Sequence, residues 1–128
     1  MASRAAGEKL AHDVLVLVVE DEAILALDLE IILMRHGCRV LGPAATVDEA
    51  LHLLRTETPD VALLDVNVRG RMVTPVAEEL RARHVPFVLA SAYERFDGAM
   101  AALDGVPNVG KPTSERRLMA ALSEALRS

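Results

Sequence analysis

Short apolar runs alternate along the chain with longer segments whose apolar residues recur at helical spacing. The run at residues 14–19 is continuous and rich in Val, which is typical of a strand buried on both faces of a sheet. Four further runs of strand length lie at 38–41, 61–64, 87–90 and 106–109. The pattern therefore predicts five strands.

Five helices are predicted, one after each strand. The first covers residues 23–35, where Ile24, Leu27, Ile31 and Met34 are helically spaced and Gly37 is placed to end the helix. The strict alternation of strand and helix predicts an α/β fold, with a parallel sheet between two layers of helices.

The other helices have recognisable starts. Thr46 and Glu49 form a capping box for a helix that extends to about Arg55. Pro75 suits the first turn of a helix that continues to Arg83. A weak helix, broken by Gly98, is expected at 94–103. Ser114 is placed to cap the last helix, in which one face is shared by Leu118, Leu122, Ala125 and Leu126.

Composition narrows the class of protein. The 128 residues, 52% of them hydrophobic, suit one domain at 13–127 after a tail at 1–12. The net charge of −5 argues against nucleic acid as a partner. Cys38 is the only cysteine, so no internal disulfide can form. No secretory leader or membrane-spanning run is visible, and a cytoplasmic location is expected.

Polar side chains stand where the predicted strands end. Glu20 and Asp21 follow the first strand, Asp65 the third, Ser91 the fourth and Lys111 the fifth. Each alone has an ordinary explanation, such as a helix-start acid, a turn residue or a solvated loop lysine. In open parallel sheets, however, ligands bind beyond the carboxyl ends of the strands. We expect these five side chains to share one pocket.

The chemistry of this set points to phosphoryl transfer. Three neighbouring carboxylates repel one another unless a cation is present, and Mg²⁺ suits Glu20 (directly or through water), Asp21, Asp65 and the main-chain carbonyl of Asn67. A carboxylate beside the metal can attack a phosphoryl group and form an acyl phosphate. Lys111 would neutralise the phosphoryl oxygens, and Ser91 would donate a hydrogen bond to one of them.

Four motifs make the chain resemble the receiver domain of two-component response regulators. They are VLVVEDE at 16–22, LLDVN at 63–67, LASAY at 89–93 and GKP at 110–112. The resemblance covers residues 13–127 and implies a flavodoxin-like sheet with strand order 2-1-3-4-5.

The same resemblance assigns roles to individual residues. Asp65 is expected to be the phosphoacceptor, while Glu20, Asp21 and the Asn67 carbonyl bind Mg²⁺. Ser91 and Lys111 are expected to contact the phosphoryl group. The peptide bond between residues 111 and 112 is expected to be cis.

The resemblance also suggests partners. A sensor histidine kinase or a histidine phosphotransfer protein would supply the phosphoryl group. The chain ends directly after the fifth helix, so no output module is expected. A downstream protein or a phosphate-sink role would then provide the output. The resemblance implies that residues 94–126 form the output face. No nucleic acid or membrane partner is expected.

Two other functions stay open at this point. One is an interaction module that has lost phosphorylation. The other is a small Mg²⁺-dependent phosphatase, and against it Asn67 stands where enzymes similar to the haloacid dehalogenases carry a second acid. Enzymatic activity beyond the chain's own phosphorylation and dephosphorylation is not expected.

A narrower resemblance concerns the switch. LASAY after Pro86–Phe87 is similar to the Phe-Ala-Thr-Gly-Tyr-like string of the FAT GUY subfamily of single-domain receivers, known from alphaproteobacteria. Most receivers keep an aromatic residue three positions before the lysine, whereas this chain has Asn108. We hypothesise that Tyr93 moves when Ser91 is drawn to the phosphoryl group. The alternative, in which Tyr93 only covers the pocket edge, remains open.

The Tyr93 hypothesis has a direct test. Tyr93→Ala should weaken binding of the phosphorylated chain to its downstream protein, because the relay from Ser91 would be lost. The measurement is the affinity of wild-type and variant chains, both phosphorylated. Unchanged affinity would exclude a relay through Tyr93.

Overall fold

The computed structural model describes residues 13–91, 103, 105–111 and 113–127. Its centre is a parallel sheet with strand order β2-β1-β3-β6. The strands of this sheet are β1 (Leu15–Val19), β2 (Arg39–Ala44), β3 (Val61–Leu64) and β6 (Phe87–Leu89). The predicted α/β class is confirmed, and the strand order reverses between β1 and β3.

Helices cover both faces of the sheet. In the described residues they are α1 (Ala23–Arg35), α2 (Val47–Thr56), α3 (Thr74–Ala82) and α4 (Glu115–Arg127). Alternate residues of β1 point into two separate cores. Leu17 packs in the core formed with α2 and α3, whereas Val16 and Val18 pack in the core formed with α1 and α4.

The predicted helix caps at Thr46 and Ser114 are both present, and the Thr46 cap differs in one hydrogen bond. The Thr46 hydroxyl accepts a hydrogen bond from the Glu49 N–H at 3.0 Å. The Glu49 carboxylate reaches the N–H of Ala45 and not that of Thr46, at 2.8 Å. The Ser114 hydroxyl accepts from the Arg117 N–H at 3.1 Å. Both helices therefore start where the side-chain oxygens satisfy N–H groups that lack a partner within the helix.

Helix α1 packs on a different face from the one its largest apolar residues suggest. Its buried residues are Ala26, Leu29 and Leu33. The four helically spaced residues of the sequence pattern are all exposed: Ile24 at 77%, Leu27 at 55%, Ile31 at 46% and Met34 at 60%. We call these four residues the α1 stripe. The helix is apolar nearly all round, so periodicity predicted the helix but not its buried face.

The polar segment after Asp65 is a tight β-hairpin. Its strands are β4 (Asn67–Val68) and β5 (Arg71–Met72), paired antiparallel. The two turn residues, Arg69 and Gly70, both have positive φ, at 53° and 81°. Two-residue hairpin turns require that conformation at both central positions when they are of type I′. Arg71 ties the hairpin to α2 through an ion pair with Asp48 at 3.0 Å.

Strand β2 contains one residue more than its partner. Leu17 pairs with Leu41, but Val19 pairs with Ala44, so the register shifts between them. Gly42, with φ of 98°, makes the shift possible. A Cβ there would lie 2.7 Å from the Ala44 nitrogen, closer than real Cβ atoms come. The predicted end of this strand at residue 41 was therefore three residues too early.

The expected fifth strand at 106–109 is reduced to a single parallel bridge, between Leu89 and Asn108. The Leu89 N–H donates to Pro107 and the Val109 N–H donates to Leu89, both at 2.8 Å. Most of the weak helix expected at 94–103, together with Tyr93 and the bond between residues 111 and 112, lies outside the described residues. A cis peptide bond is present between Gly42 and Pro43.

Within the residues that the structure describes, no helix combines the length and the apolar character needed to cross a bilayer.

The orientation of α1 predicts different stability losses for the same substitution on its two faces. Leu33→Ala should lower the free energy of unfolding by about 2–5 kcal/mol, because Leu33 is fully buried. Leu27→Ala makes the same chemical change on the exposed stripe of the same helix and should cost no more than about 0.5 kcal/mol. Urea denaturation measures both. Equal losses would contradict the orientation of α1.

Candidate functional site

The ends of β1 and β3 lie side by side and place two acidic residues at the reversal of strand order. Glu20 directly follows β1, and its N–H donates to Ala44 at 2.9 Å. Asp65 directly follows β3, and its N–H donates to Val19 at 3.0 Å. The ladder hydrogen bonds therefore continue one residue beyond each strand and hold the main chain at both acids.

Lys111 brings the loop after the fifth-strand segment to these acids. Its Nζ lies 2.7 Å from Asp65 Oδ2 and 3.1 Å from Glu20 Oε2. It also lies 3.4 Å from Glu22 Oε1, a contact that the sequence did not lead us to expect. Glu20 and Asp65 are 3% and 6% exposed, so this ammonium compensates charges that are largely removed from water.

Asp21 completes an acidic cluster. One carboxylate oxygen from each of Glu20, Asp21 and Asp65 lies within 4.8 Å of the other two. Three carboxylates face one ammonium, so the cluster carries excess negative charge. Closely spaced carboxylate oxygens are the ligands that Mg²⁺ prefers, and the donor set of this cluster fits that ion.

Main-chain N–H groups orient two of the acids. The Glu22 N–H donates to Glu20 Oε2 at 2.9 Å. The Arg69 N–H, at the tip of the hairpin, donates to Asp21 Oδ2 at 2.9 Å. The hairpin therefore fixes the half-buried Asp21 side chain against the end of β3.

Asn67 contributes to the hairpin through its side chain. Asn67 Oδ1 accepts a hydrogen bond from the Gly70 N–H at 3.0 Å. Val73 N–H donates to Val66 at 2.8 Å, so the neighbouring pair, Asn67 and Met72, is a non-hydrogen-bonded pair of the ladder. In such a pair the carbonyls point away from the partner strand, and the expected role of the Asn67 main-chain carbonyl as a ligand stays a prediction.

Burial and the neighbouring charges shift two pKa values in the cluster. Burial raises the pKa of the Glu20 carboxyl, against the lowering effect of the Glu22 N–H and of Lys111, while the charge of Asp65 raises it further. Burial alone would lower the pKa of Lys111. Its hydrogen bonds to Asp65 and Glu20, together with their charges, outweigh burial and hold that pKa above its usual value. Lys111 is therefore a permanent cation at neutral pH.

Ser91 lies at the same edge of the sheet, two residues after β6, and is 2% exposed. The Ala90 N–H donates to Leu64 at 2.8 Å and keeps this segment beside the end of β3. The Ser91 N–H donates to Asn108 Oδ1 at 3.1 Å, and the Gly110 N–H donates to the same oxygen at 3.0 Å. The sequence had marked Asn108 only as a missing aromatic residue, and nothing in the spacing indicated this double contact.

The structure thus places Glu20, Asp21, Asp65 and Lys111 in one cluster and Ser91 at the same edge of the sheet. Tyr93 is outside the described residues, and its expected role stays a prediction.

Comparison with known proteins agrees with this arrangement. Residues 16–123 match the model of the response regulator receiver domain. The phyllosphere-induced regulator PhyR of Methylorubrum extorquens is 33% identical over 97 residues, which are 71% of this chain and 36% of PhyR. The transcriptional regulatory protein PdtaR of Mycobacterium tuberculosis is 31% identical over 83 residues, which are 64% of this chain and 40% of PdtaR. The chain spans less than half the length of either relative.

Solved structures show the same fold. The solution structure of SdrG from Sphingomonas melonis Fr1 superposes with a TM-score of 0.78 at 34% identity, over 93% of this chain and 100% of SdrG. The response regulator PhyR from Brucella abortus superposes with a TM-score of 0.78 at 28% identity, over 94% of this chain and 50% of PhyR. With the family match, the sheet topology and the strand-end residues in agreement, this chain belongs to the response regulator receiver domain family of two-component systems.

Proposed function

We propose that this chain accepts a phosphoryl group on Asp65 and signals through protein contact or serves as a phosphate sink. One observation carries the proposal. Asp65 is a buried carboxylate at the end of a strand, 2.7 Å from the Lys111 ammonium and clustered with Glu20 and Asp21. The donor would be the phosphohistidine of a sensor histidine kinase or of a histidine phosphotransfer protein.

The transfer balances without a further reactant. An Asp65 carboxylate oxygen attacks the phosphorus atom, an O–P bond forms, and the N–P bond of the phosphohistidine breaks with its electron pair going to that ring nitrogen. The phosphohistidine carries a proton on its other ring nitrogen and therefore leaves as neutral imidazole. The product is an aspartyl phosphate. Lys111 would neutralise charge on the transferred oxygens, and the hydroxyl of Ser91, a residue at the same edge of the sheet, would donate to one of them.

Mg²⁺ would be held by Glu20, Asp21, Asp65 and the Asn67 main-chain carbonyl, and when bound would supply positive charge to the phosphoryl oxygens. Glu20 and Asp21 are each oriented by a main-chain N–H, at 2.9 Å in both cases. That restraint suits residues that remain in place while Asp65 reacts.

Two alternatives fit the site less well. A receiver that has lost phosphorylation has no reason to keep the acidic cluster together with its paired lysine. A phosphatase acting on free substrates needs a proton donor near the nucleophile, and the position two residues after Asp65 is Asn67, whose amide cannot serve as an acid.

Asp65→Asn tests the proposal. With Mg²⁺ and acetyl phosphate, the wild-type chain should gain one phosphoryl group, and the variant should gain none because it lacks the nucleophile. Intact mass spectrometry measures the adduct, and omission of Mg²⁺ should abolish it. Absence of an adduct in the wild-type chain, together with failure to bind beryllofluoride, would favour the phosphorylation-independent interaction module.

The α1 stripe gives the phosphodonor a place to dock. Ile31 lines a groove of about 290 Å³ that also contains Glu20 and Lys111. On the other side of the helix, Leu27 shares a groove with Asp21. A protein that brings phosphohistidine to Asp65 must contact this surface, so we propose that an apolar helical surface of the donor covers the stripe.

The acidic residues beside the α1 stripe indicate the charge expected on the donor. Asp28 and Glu30 flank Ile31 on the helix, and Asp28 is exposed. The stripe repeats at intervals of three, four and three residues, the spacing by which helices pack side by side. An apolar helix bordered by basic residues would complement this surface.

Ile31→Glu should separate docking from chemistry. It should slow transfer from a phosphorylated histidine phosphotransfer protein by about tenfold or more, because burying an isoleucine contributes about 1.5–3 kcal/mol. Phosphorylation by acetyl phosphate, which needs no docking surface, should stay at the wild-type rate. Ala82→Glu, which adds the same charge to an exposed position of α3, is the control. Equal slowing with both donors would contradict the docking role.

A further inference from the structure

Asn108 occupies a position where the main chain is already held. Asn108 forms a parallel bridge with Leu89. On either side of Asn108, the Pro107 carbonyl accepts from the Leu89 N–H and the Val109 N–H donates to the Leu89 carbonyl. The Asn108 carbonyl itself accepts from Arg117 of α4 at 3.4 Å. The side-chain amide therefore projects from a fixed main chain, and its oxygen is a fixed acceptor.

That oxygen joins two segments of the site. It accepts from the Ser91 N–H at 3.1 Å and from the Gly110 N–H at 3.0 Å. Ser91 lies two residues beyond Leu89, the last residue of strand β6, and the Asn108 side chain supplies an acceptor for its N–H. Ser91 carries the hydroxyl of the site, and Gly110 directly precedes Lys111.

The segment of Gly110 and Lys111 contacts the acidic cluster through the lysine side chain. Lys111 Nζ bonds Asp65 at 2.7 Å and Glu20 at 3.1 Å. Gly110 has a φ of 87°, a conformation that few other residues adopt, so the direction of the chain into Lys111 depends on this turn. A displacement of the Gly110 N–H therefore displaces the lysine.

We infer that Asn108 is a positioning residue that couples Ser91 to Lys111, so that both approach a phosphoryl group on Asp65 as one unit. The inference rests on the proposed function for its purpose, but the coupling itself exists in the unphosphorylated chain. A purely structural role would be limited to satisfying two N–H groups at the end of a strand.

Asn108→Leu removes the acceptor while keeping the side-chain size. In the presence of Mg²⁺ it should weaken beryllofluoride binding and slow phosphorylation by acetyl phosphate, each by about tenfold, since two hydrogen bonds are lost. Arg117→Leu, which removes a hydrogen bond to the Asn108 carbonyl but leaves the Asn108 side-chain oxygen in place, is the control and should behave as the wild type.

A double-mutant cycle separates coupling from structure. In a Lys111→Ala background, Asn108→Leu should cause a smaller fold-loss of beryllofluoride binding than in the wild-type chain, because only its effect through Ser91 remains. If the fold-loss of beryllofluoride binding in the double variant equals the product of the two single-variant losses, the inference is overturned. If Asn108→Leu fails to fold, Asn108→Asp, which retains an acceptor oxygen, takes its place and should lose less than Asn108→Ala measured beside it.

Nuclear magnetic resonance distinguishes a failure of this inference from a failure of the proposed function. Without any phosphoryl mimic, Asn108→Leu should shift the amide resonances of Ser91 and Gly110 and also the side-chain resonances of Lys111. Shifted amides with an unchanged Lys111 side chain would overturn the coupling. If the wild-type chain binds no beryllofluoride but all three sets of resonances shift, the coupling stands and the proposed function fails.

Discussion

The contact between Lys111 and the two buried acids is the interaction on which the rest of the site depends. Glu20 and Asp65 are held beside each other by the sheet, and both are almost removed from water. Two such charges would repel each other strongly unless a cation stood between them. The lysine comes from a segment 46 residues beyond Asp65, so the ion pairs also close the sheet edge around the site.

The parallel ladder makes this contact possible without special loops. Each strand delivers its last residue to one edge, and the hydrogen bonds of Glu20 and Asp65 to neighbouring strands continue past the strand ends. The two cores on either face then hold the edge in place. The candidate functional side chains lie where the strand order reverses. The helices on the two faces diverge there and leave an opening.

Much of this could be predicted from the sequence because strand ends are set by local patterns. Apolar runs located Glu20, Asp65 and Ser91, and hydroxyl caps located the starts of α2 and α4. The buried face of α1 could not be predicted, because Leu29 and Leu33 are no more apolar than Ile24 or Ile31 and only the sheet decides between them. The role of Asn108 also escaped prediction, since it depends on two N–H groups 19 residues apart that the fold alone brings together.

The extra residue in β2 has a consequence for how relatives of this chain should be aligned. Leu41 and Ala44 pair with Leu17 and Val19 of β1. Two residues, Gly42 and Pro43, lie between the first pair of positions, whereas only one residue lies between the second. The Ala44 carbonyl, and not an earlier one, receives the Glu20 N–H. A relative whose second strand runs without this irregularity would be one residue shorter here. Its alignment gap belongs between Leu41 and Ala44, inside the strand, and placing the gap in the loop before α2 would put the wrong carbonyl beside Glu20.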